Sequence, residues 1–188
     1  ETFNDNRIKL LRNKNNLGHV KTFERAVLES KNLNILFADQ DDIWADGHVD
    51  LLLTMLNNEK RPVLVYGNFD EFGLDFFVKT KGHVSRFPKL KNSNLQFGIH
   101  LLLGSTRMFG CCVGVNRNLI DLAMPFPEKA SSHDLWLGYV AFRYGKIFND
   151  DKIITHRRLH SNNVSQPRRN IFKIIADRAY YIRKLYSL

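Results

Sequence analysis

The sequence predicts an α/β fold in which helices flank a mostly parallel sheet. Two short apolar segments, 34–38 (NILFA) and 62–69 (PVLVYGNF), have the length and composition of buried strands. A segment with apolar residues at helical spacing lies between them, and a similar segment precedes the first strand. Strands that alternate with helices in this way are typical of a parallel sheet covered on both faces.

Local patterns predict the elements of the first half. Residues 7–13 (RIKLLRN) alternate apolar and charged side chains, which predicts a strand. The turn at 15–18 (NNLG) precedes a helix whose apolar face is formed by Val20, Phe23 and Val27. Asp46 is the predicted cap of a second helix, which continues to Leu56.

Between residues 70 and 94 the periodic pattern stops. This segment mixes aromatic residues, lysines and glycines, and long irregular segments in compact domains are often binding loops. A helix near 95–103, a strand at 110–115 (GCCVGV) and a short helix near 117–123 are predicted to follow.

The last third is predicted to hold a helix, a strand and a terminal helix. Ser131 or Ser132 caps the first of these, and Gly145 can end it. The segment KIITHRRLHSNNVS is typical of a strand that leaves the sheet into a polar loop. Residues 168–188 form a basic amphipathic helix, so we divide the chain into a domain of residues 1–167 and this helix.

Composition and charge limit the classes of function. The 188 residues make one ordinary domain, and a hydrophobic content of 44% supports a packed core. The net charge of +9 favours polyanions, namely nucleic acid, anionic lipid headgroups or phosphorylated small molecules. No apolar run is long enough to span a bilayer. Cys111 and Cys112 are interpreted as buried residues in a reducing compartment, so we expect a cytoplasmic protein.

Three carboxylates follow the first buried strand within four positions: Asp39, Asp41 and Asp42. Carboxylates this close together usually share a divalent cation or a proton. Magnesium and manganese take oxygen ligands and commonly bridge a protein to substrate phosphates. The end of a parallel strand is also where open α/β sheets bind ligands. A solvated acidic turn that caps the next helix is the structural alternative.

The segment NNLGHVKTFERAVLESKNLNILFADQDDIW (15–44) resembles the central part of family 2 glycosyltransferases with the GT-A fold. The resemblance is strongest to bacterial rhamnosyltransferase-like members that build surface polysaccharides. Three later segments match in the same order: GCCVGVNRNLI (110–120), HDLWL (133–137) and RLHSNNVS (158–165). The resemblance implies a GT-A fold that lacks its first β-α-β unit in this chain.

The resemblance also implies roles on the donor side of the site. Asp39 and Asp41 form the D-x-D motif, in which Asp41 binds manganese or magnesium and Asp39 supports the metal and faces the nucleotide ribose. Asp42 supports the site or touches the sugar. The turn formed by Asn16 and Gly18 would lie near the nucleotide, although such a turn also serves as an ordinary helix entry.

A second set of implied roles comes from the C-terminal motifs. Asp134 is the expected general base, which takes a proton from the acceptor hydroxyl as it attacks the anomeric carbon. His133 orients this base or contacts the acceptor. Arg158 would bind the diphosphate, and His160 would complete the metal shell.

Together these features predict a metal-dependent, inverting glycosyltransferase. It would move a sugar from a UDP- or dTDP-sugar to a hydroxyl of a glycan or lipid-linked acceptor in surface polysaccharide synthesis. Trp44 and Gly110 are the remaining predicted site residues. The basic helix at 168–188 either packs on the domain or contacts the anionic inner face of the cell membrane. No nucleic-acid partner is expected.

Two other classes of function share features of the sequence. A haloacid-dehalogenase-like phosphatase would use Asp39 as nucleophile and Asp41 as acid and base, although Ile43 matches its motif only loosely. A nucleic-acid-binding domain would fit the basic charge and the 70–94 segment. The acidic cluster argues against the second class, because it repels phosphates unless a cation intervenes. A degenerate transferase that only binds its ligands is a third possibility.

Overall fold

A computed structural model describes residues 5–57, 59–73, 79–80, 94–103, 108–160 and 171–188. The helices are α1 (Gly18–Glu29), α2 (His48–Leu56), α3 (Asn94–Leu103), α4 (Arg117–Ala123), α5 (His133–Tyr144) and α6 (Ile171–Leu185). The strands are β1 (Asn34–Leu36), β2 (Ile43–Trp44), β3 (Val63–Phe72), β4 (Lys79–Thr80), β5 (Val113–Asn116) and β6 (Lys146–Arg158). A short 3-10 turn, Gly110–Cys112, precedes β5.

The described strands form one mixed sheet in the order β1-β5-β3-β6-β2, with β4 beside the end of β3. Among these strands only β3 and β6 are parallel neighbours. Both β1 and β3 run antiparallel to β5, which lies between them, so β1 and β3 point the same way. The α/β class is therefore confirmed, with a mixed sheet where a mostly parallel one was expected. Alternation of strands and helices predicts the shared direction of β1 and β3, but it does not reveal the strand that separates them.

Apolar side chains cover both faces of the sheet. On one face α2 packs against Val63, Val65 and Ile154. The larger core on the other face gathers side chains from the other five helices around Leu64 and residues of β5. Three successive residues of β3 are fully buried, as expected for a strand covered on both sides.

The structure differs from two predictions in the first half. Residues 7–13 form no strand, and Ile8 and Leu10 are exposed, so their alternation does not mark a buried face. Asp46 does not cap α2, because the residue that precedes the helix is Gly47, with φ of 80°. This left-handed conformation suits glycine, and it turns the chain into the helix without a side-chain cap.

Several other predicted elements are of the correct type but begin or end at different residues. The strand predicted at 110–115 begins only at Val113, because the preceding residues form the 3-10 turn. The last strand begins earlier than expected, at Lys146, and β3 extends to Phe72 into the segment predicted to be irregular. The helices α1, α3, α4 and α5 lie where the sequence predicts them, and Gly145 ends α5 as expected. Ser132 precedes α5 without the predicted side-chain cap, because its hydroxyl donates to Oδ1 of Asp134 instead of accepting from a helix N–H.

The C-terminal helix α6 packs on α5. Tyr181 and Leu185 are buried at this contact, and the hydroxyl of Tyr144 donates a hydrogen bond of 2.8 Å to the carbonyl of Leu185. The predicted boundary between residues 167 and 168 falls in 161–170, outside the described residues, as do most of the 70–94 segment and the last five residues of the 158–165 motif. Among the helices described, none is both long and apolar enough to cross a membrane.

Candidate active site

The acidic segment crosses one edge of the sheet. It leaves β1 beside β5, where the N–H of Phe37 donates to the carbonyl of Val113 (3.1 Å). It ends in β2, which pairs with β6 at the other side of the sheet, and the next residue, Ala45, donates to the carbonyl of Ile154 (2.9 Å). β1 and β6 end at this edge and the antiparallel β5 begins there. The acids therefore lie where several elements present their termini, as ligand sites of α/β sheets do.

Two of the acids contact the end of β6. The backbone N–H of Arg158 donates to Oδ1 of Asp42 (2.9 Å), and its Nε donates to the carbonyl of Asp41 (3.0 Å). Nε2 of His160 lies 2.7 Å from Oδ2 of Asp41. The structure therefore brings together the Asp41 and His160 side chains that the sequence motifs assign to one metal site. The guanidinium of Arg158 also lies over the ring of Phe72, 4.7 Å from its centroid, at the same edge.

Burial and neighbouring carboxylates raise the pKa of Asp39. Burial raises the pKa of the Asp39 carboxyl to about 6, and three neighbouring carboxylates add to this rise: Asp42, Asp41 and Asp134. Arg157 opposes the rise only in part. The ring of His133, at the start of α5, lies 5.0 Å from the ring of Phe37, so α5 begins close to the acidic segment. Burial is thus the main cause of the raised pKa of Asp39, and the like charges at this edge add to it.

The residues present fit a divalent cation. Ligand atoms of Asp39, Asp42 and Cys111 lie within 4.8 Å of one another, and Oδ2 of Asp42 is buried with no hydrogen-bond partner in the described residues. The hydrogen bond with Cys112, together with burial, raises the pKa of the Cys111 thiol, so this sulfur stays protonated and is a poor ligand. The donors that remain are carboxylate oxygens, which suit magnesium or manganese. The sequence interpretation of Cys111 as a structural residue missed its place beside the acids.

Asp134 is the second residue of α5, and its two oxygens have different surroundings. Oδ1 accepts hydrogen bonds from the hydroxyl of Ser132 and from the N–H of Leu135 (2.7 Å). Oδ2 accepts none from any residue that the structure describes. The residue is only 9% exposed. One oxygen is thus fixed while the other is available for a proton.

His133 fills a tight space beside Gly110. Its ring stacks on Phe23, with centroids 4.0 Å apart, and burial lowers the pKa of His133, so the imidazole is neutral at pH 7. Neither ring nitrogen has a hydrogen-bond partner in the described part of the chain. A Cβ atom at Gly110 would lie 2.8 Å from Nε2 of His133, so a glycine is required for this approach. The structure therefore joins two predicted site residues by direct contact.

The remaining predicted site residues lie to either side of the acids and His133. Gly18 begins α1 with φ of 73°, and its N–H is held by Oδ1 of Asn16 (2.9 Å). The turn leads into α1, and Phe23 of this helix stacks on His133, so the turn lies on the His133 side of the site. Trp44 instead stacks on His48 at the start of α2, with centroids 4.2 Å apart, and 42% of it is exposed.

The fold and the site together define an α/β domain with an acid-rich ligand site at one edge of its sheet. The model of glycosyl transferase family 2 matches residues 1–120, and the chain belongs to this family. It is therefore a glycosyltransferase, a class that uses a nucleotide-sugar donor and an acceptor. No curated protein matches the chain. The matched range includes the acidic segment, whereas Asp134, Arg158 and His160 lie beyond it and depend on the geometry described above.

Proposed function

We propose that the chain is a metal-dependent, inverting glycosyltransferase of the bacterial rhamnosyltransferase-like subgroup. It transfers a sugar from a UDP- or dTDP-sugar to a hydroxyl of a glycan or lipid-linked acceptor in surface polysaccharide synthesis. The observation that carries the proposal is that α5 begins beside the strand leading into the acidic segment. The ring of His133, the residue before Asp134, lies 5.0 Å from the ring of Phe37, two residues before Asp39. A transferase requires both a charge-neutralising centre for the departing nucleotide and a separate base for the acceptor.

The acidic segment supplies the donor side. Asp39 and Asp42 would hold the cation. Asp41 lies outside that group of ligand atoms, with its Oδ2 2.7 Å from Nε2 of His160, and would join the cation as the family motif implies. These residues would place a magnesium or manganese ion where its charge would offset the negative charge on the leaving nucleoside diphosphate. Arg158 adds a positive charge at the same edge, and guanidinium groups bind diphosphates through paired hydrogen bonds. The Asn16–Gly18 turn would contact the nucleotide from the other side.

Asp134 supplies the acceptor side. Its Oδ1 is fixed by Ser132 and Leu135, so the carboxylate is oriented before the acceptor arrives. Its Oδ2 takes the proton of the acceptor hydroxyl as that hydroxyl attacks the anomeric carbon. A single displacement of this kind inverts the anomeric centre. The buried, neutral ring of His133 would bound the acceptor pocket next to this base.

The exposed side of α6 has features that would bind the anionic inner face of the cell membrane. Three apolar residues lie on this side at helical spacing and remain exposed although α6 packs on α5: Ile175, Ile182 and Tyr186. Arg183 and Lys184 are exposed beside them. An apolar stripe with a basic flank is complementary to a bilayer surface with anionic headgroups, where a lipid-linked acceptor would lie.

Calorimetry and transfer assays on two variants test the proposal. Asp41→Asn should weaken manganese-dependent binding of the nucleotide sugar strongly. Asp134→Asn should retain this binding and lose sugar transfer by about 100-fold or more. Asp46→Asn, an exposed acid outside the cluster, is the matched control and should change neither.

Three results would contradict the assignment. Unchanged binding by Asp41→Asn would exclude this residue from the cation site, and loss of donor binding in Asp134→Asn would exclude its role as base. Salt-sensitive binding of RNA or DNA, without manganese-dependent binding of nucleotide sugars, would favour the nucleic-acid alternative.

A further inference from the structure

The hydroxyl of Tyr181, on the C-terminal helix α6, holds the loop that precedes α5. This oxygen accepts hydrogen bonds from the N–H groups of Ser131 (2.7 Å) and Ser132 (3.2 Å). It also lies 3.0 Å from Oγ of Ser131 and donates to the carbonyl of Ser132 at 3.3 Å. A phenol offers one donor and two acceptor sites, so this single group satisfies three backbone groups of two consecutive residues.

The ring of Tyr181 is as firmly held as its hydroxyl. The residue is fully buried, and its ring stacks on Tyr139 and Trp136 of α5, with centroids 5.1 and 6.0 Å apart. Burial raises the pKa of Tyr181, so the phenol keeps its proton at neutral pH and can act as a donor. Both ends of the side chain therefore bind elements that frame the start of α5.

A short chain of hydrogen bonds connects this hydroxyl to the proposed base. Tyr181 fixes the backbone of Ser132, and the hydroxyl of Ser132 donates to Oδ1 of Asp134. Ser132 also begins α5, since its carbonyl accepts from the N–H of Trp136 (3.3 Å). The orientation of the Ser132 hydroxyl depends on the backbone that carries it, because that backbone is extended and lies just outside the helix.

We propose that Tyr181 is a positioning residue for sugar transfer, which acts through Ser132 to hold the carboxylate of Asp134. This inference rests on the proposed function, in which Asp134 is the base. It assigns a part in the reaction to α6, an element outside the segments that carry the family resemblance. Tyr181 is fully buried and cannot contact a bound ligand, so its effect falls on the transfer step and not on donor binding.

Tyr181→Phe is the direct test, because it removes the hydroxyl and keeps the stacked ring. We expect kcat for transfer to fall by about 10-fold or more while the donor Kd from calorimetry stays within about twofold. Tyr180→Phe is the matched control. Its hydroxyl accepts a hydrogen bond of 3.3 Å from the N–H of Lys129, three residues before Ser132, and kcat should not change. Ser132→Ala interrupts the same link without touching α6 and should give a similar loss of kcat.

The double variant Tyr181→Phe/Ser132→Ala separates positioning from general destabilisation. If both residues act through one link, their combined loss of kcat is no larger than the greater single loss. Independent losses that multiply would overturn the inference, as would a wild-type kcat in Tyr181→Phe. Full activity of Asp134→Asn would show that Asp134 is not the base, which contradicts the proposed function. An inactive Asp134→Asn together with a fully active Tyr181→Phe would contradict only the positioning role of Tyr181.

A measurement without turnover gives an independent answer. The amide proton of Leu135 donates to Oδ1 of Asp134, so its NMR chemical shift reports the position of that carboxylate. We expect Tyr181→Phe to shift this resonance, and Tyr180→Phe to leave it unchanged. An unchanged Leu135 resonance in Tyr181→Phe would overturn the inference even for a chain that shows no transfer in the assay.

Discussion

Replacement of Asp39 by asparagine should stabilise the metal-free chain at neutral pH. Burial, reinforced by the nearby carboxylates, raises the pKa of Asp39 from 3.8 to about 6. The folded chain therefore binds this proton about a hundred times more tightly than the unfolded chain does. Above about pH 6 the carboxylate is charged in both states, and only the folded state has the cost of burying this charge beside other carboxylates.

The size of the effect follows from this difference in proton affinity. A hundredfold difference corresponds to about 2.7 kcal/mol. Because Asp39 is only partly buried, water screens part of the repulsion, and we expect about 1–2 kcal/mol in the free energy of unfolding. For a chain of this length such a gain raises Tm by about 2–8 °C. The penalty is absent below about pH 3.8, where both states are protonated, and it grows as the pH rises to about 6.

Thermal unfolding in a chelator, followed by circular dichroism, measures this gain for Asp39→Asn. We expect the full gain at about pH 7.5 and less than half of it at about pH 4.5. Asp46→Asn is the control, because this exposed acid lies outside the cluster. Manganese should then stabilise the wild-type chain more than Asp39→Asn, since the variant has lost one carboxylate ligand. A Tm for Asp39→Asn equal to the wild type at neutral pH, or an equal gain at both pH values, would refute the reasoning.

Three further predictions concern the site and the surface. Gly110→Ala should lower the free energy of unfolding by about 1–3 kcal/mol in chemical denaturation, because its Cβ would lie 2.8 Å from Nε2 of His133. Gly73→Ala is the control and should be nearly neutral, because a Cβ there has no atom within 4 Å. The sugar in the product should have the anomeric configuration opposite to the donor, and NMR coupling constants that show retention would exclude a single displacement. Glutamates in place of Ile175 and Ile182 should abolish sedimentation with anionic liposomes while Tm changes little. As a control, two glutamates at exposed positions of α1 should leave sedimentation unchanged. A wild-type chain that does not sediment with these liposomes would contradict the membrane contact.

Sequence patterns predict the fold where the information is local. The apolar spacing of α1 and the uninterrupted apolar run of β3 have direct counterparts in the structure, because each reflects the side of an element that is buried. The place of β5 between β1 and β3 could not be predicted in this way. Strand order depends on contacts between distant segments, and the apolar residues of β5 do not indicate which strands will be its neighbours.

The same distinction applies to the site. The family motifs indicated that Asp41 and His160 belong together, and the structure places them 2.7 Å apart, while their roles in catalysis remain predictions. Cys111 and Tyr181 were missed because nothing in their local sequence points to the acids or to the start of α5. Cys111 reaches the acids through the 3-10 turn before β5, and Tyr181 reaches the loop before α5 from fifty residues away.

The strand order also has a consequence for the order in which the chain assembles during synthesis. Among the described strands, β1 pairs only with β5 and β2 pairs only with β6. The register pairs Asn34 with Asn116 and Ile43 with His156. Each of these strands can therefore pair only after a segment much later in the sequence has been synthesised. Contacts between such distant segments form slowly, and unpaired strand edges are exposed until they do. The acidic segment between β1 and β2 is therefore among the first parts of the site to leave the ribosome and among the last to be fixed in place.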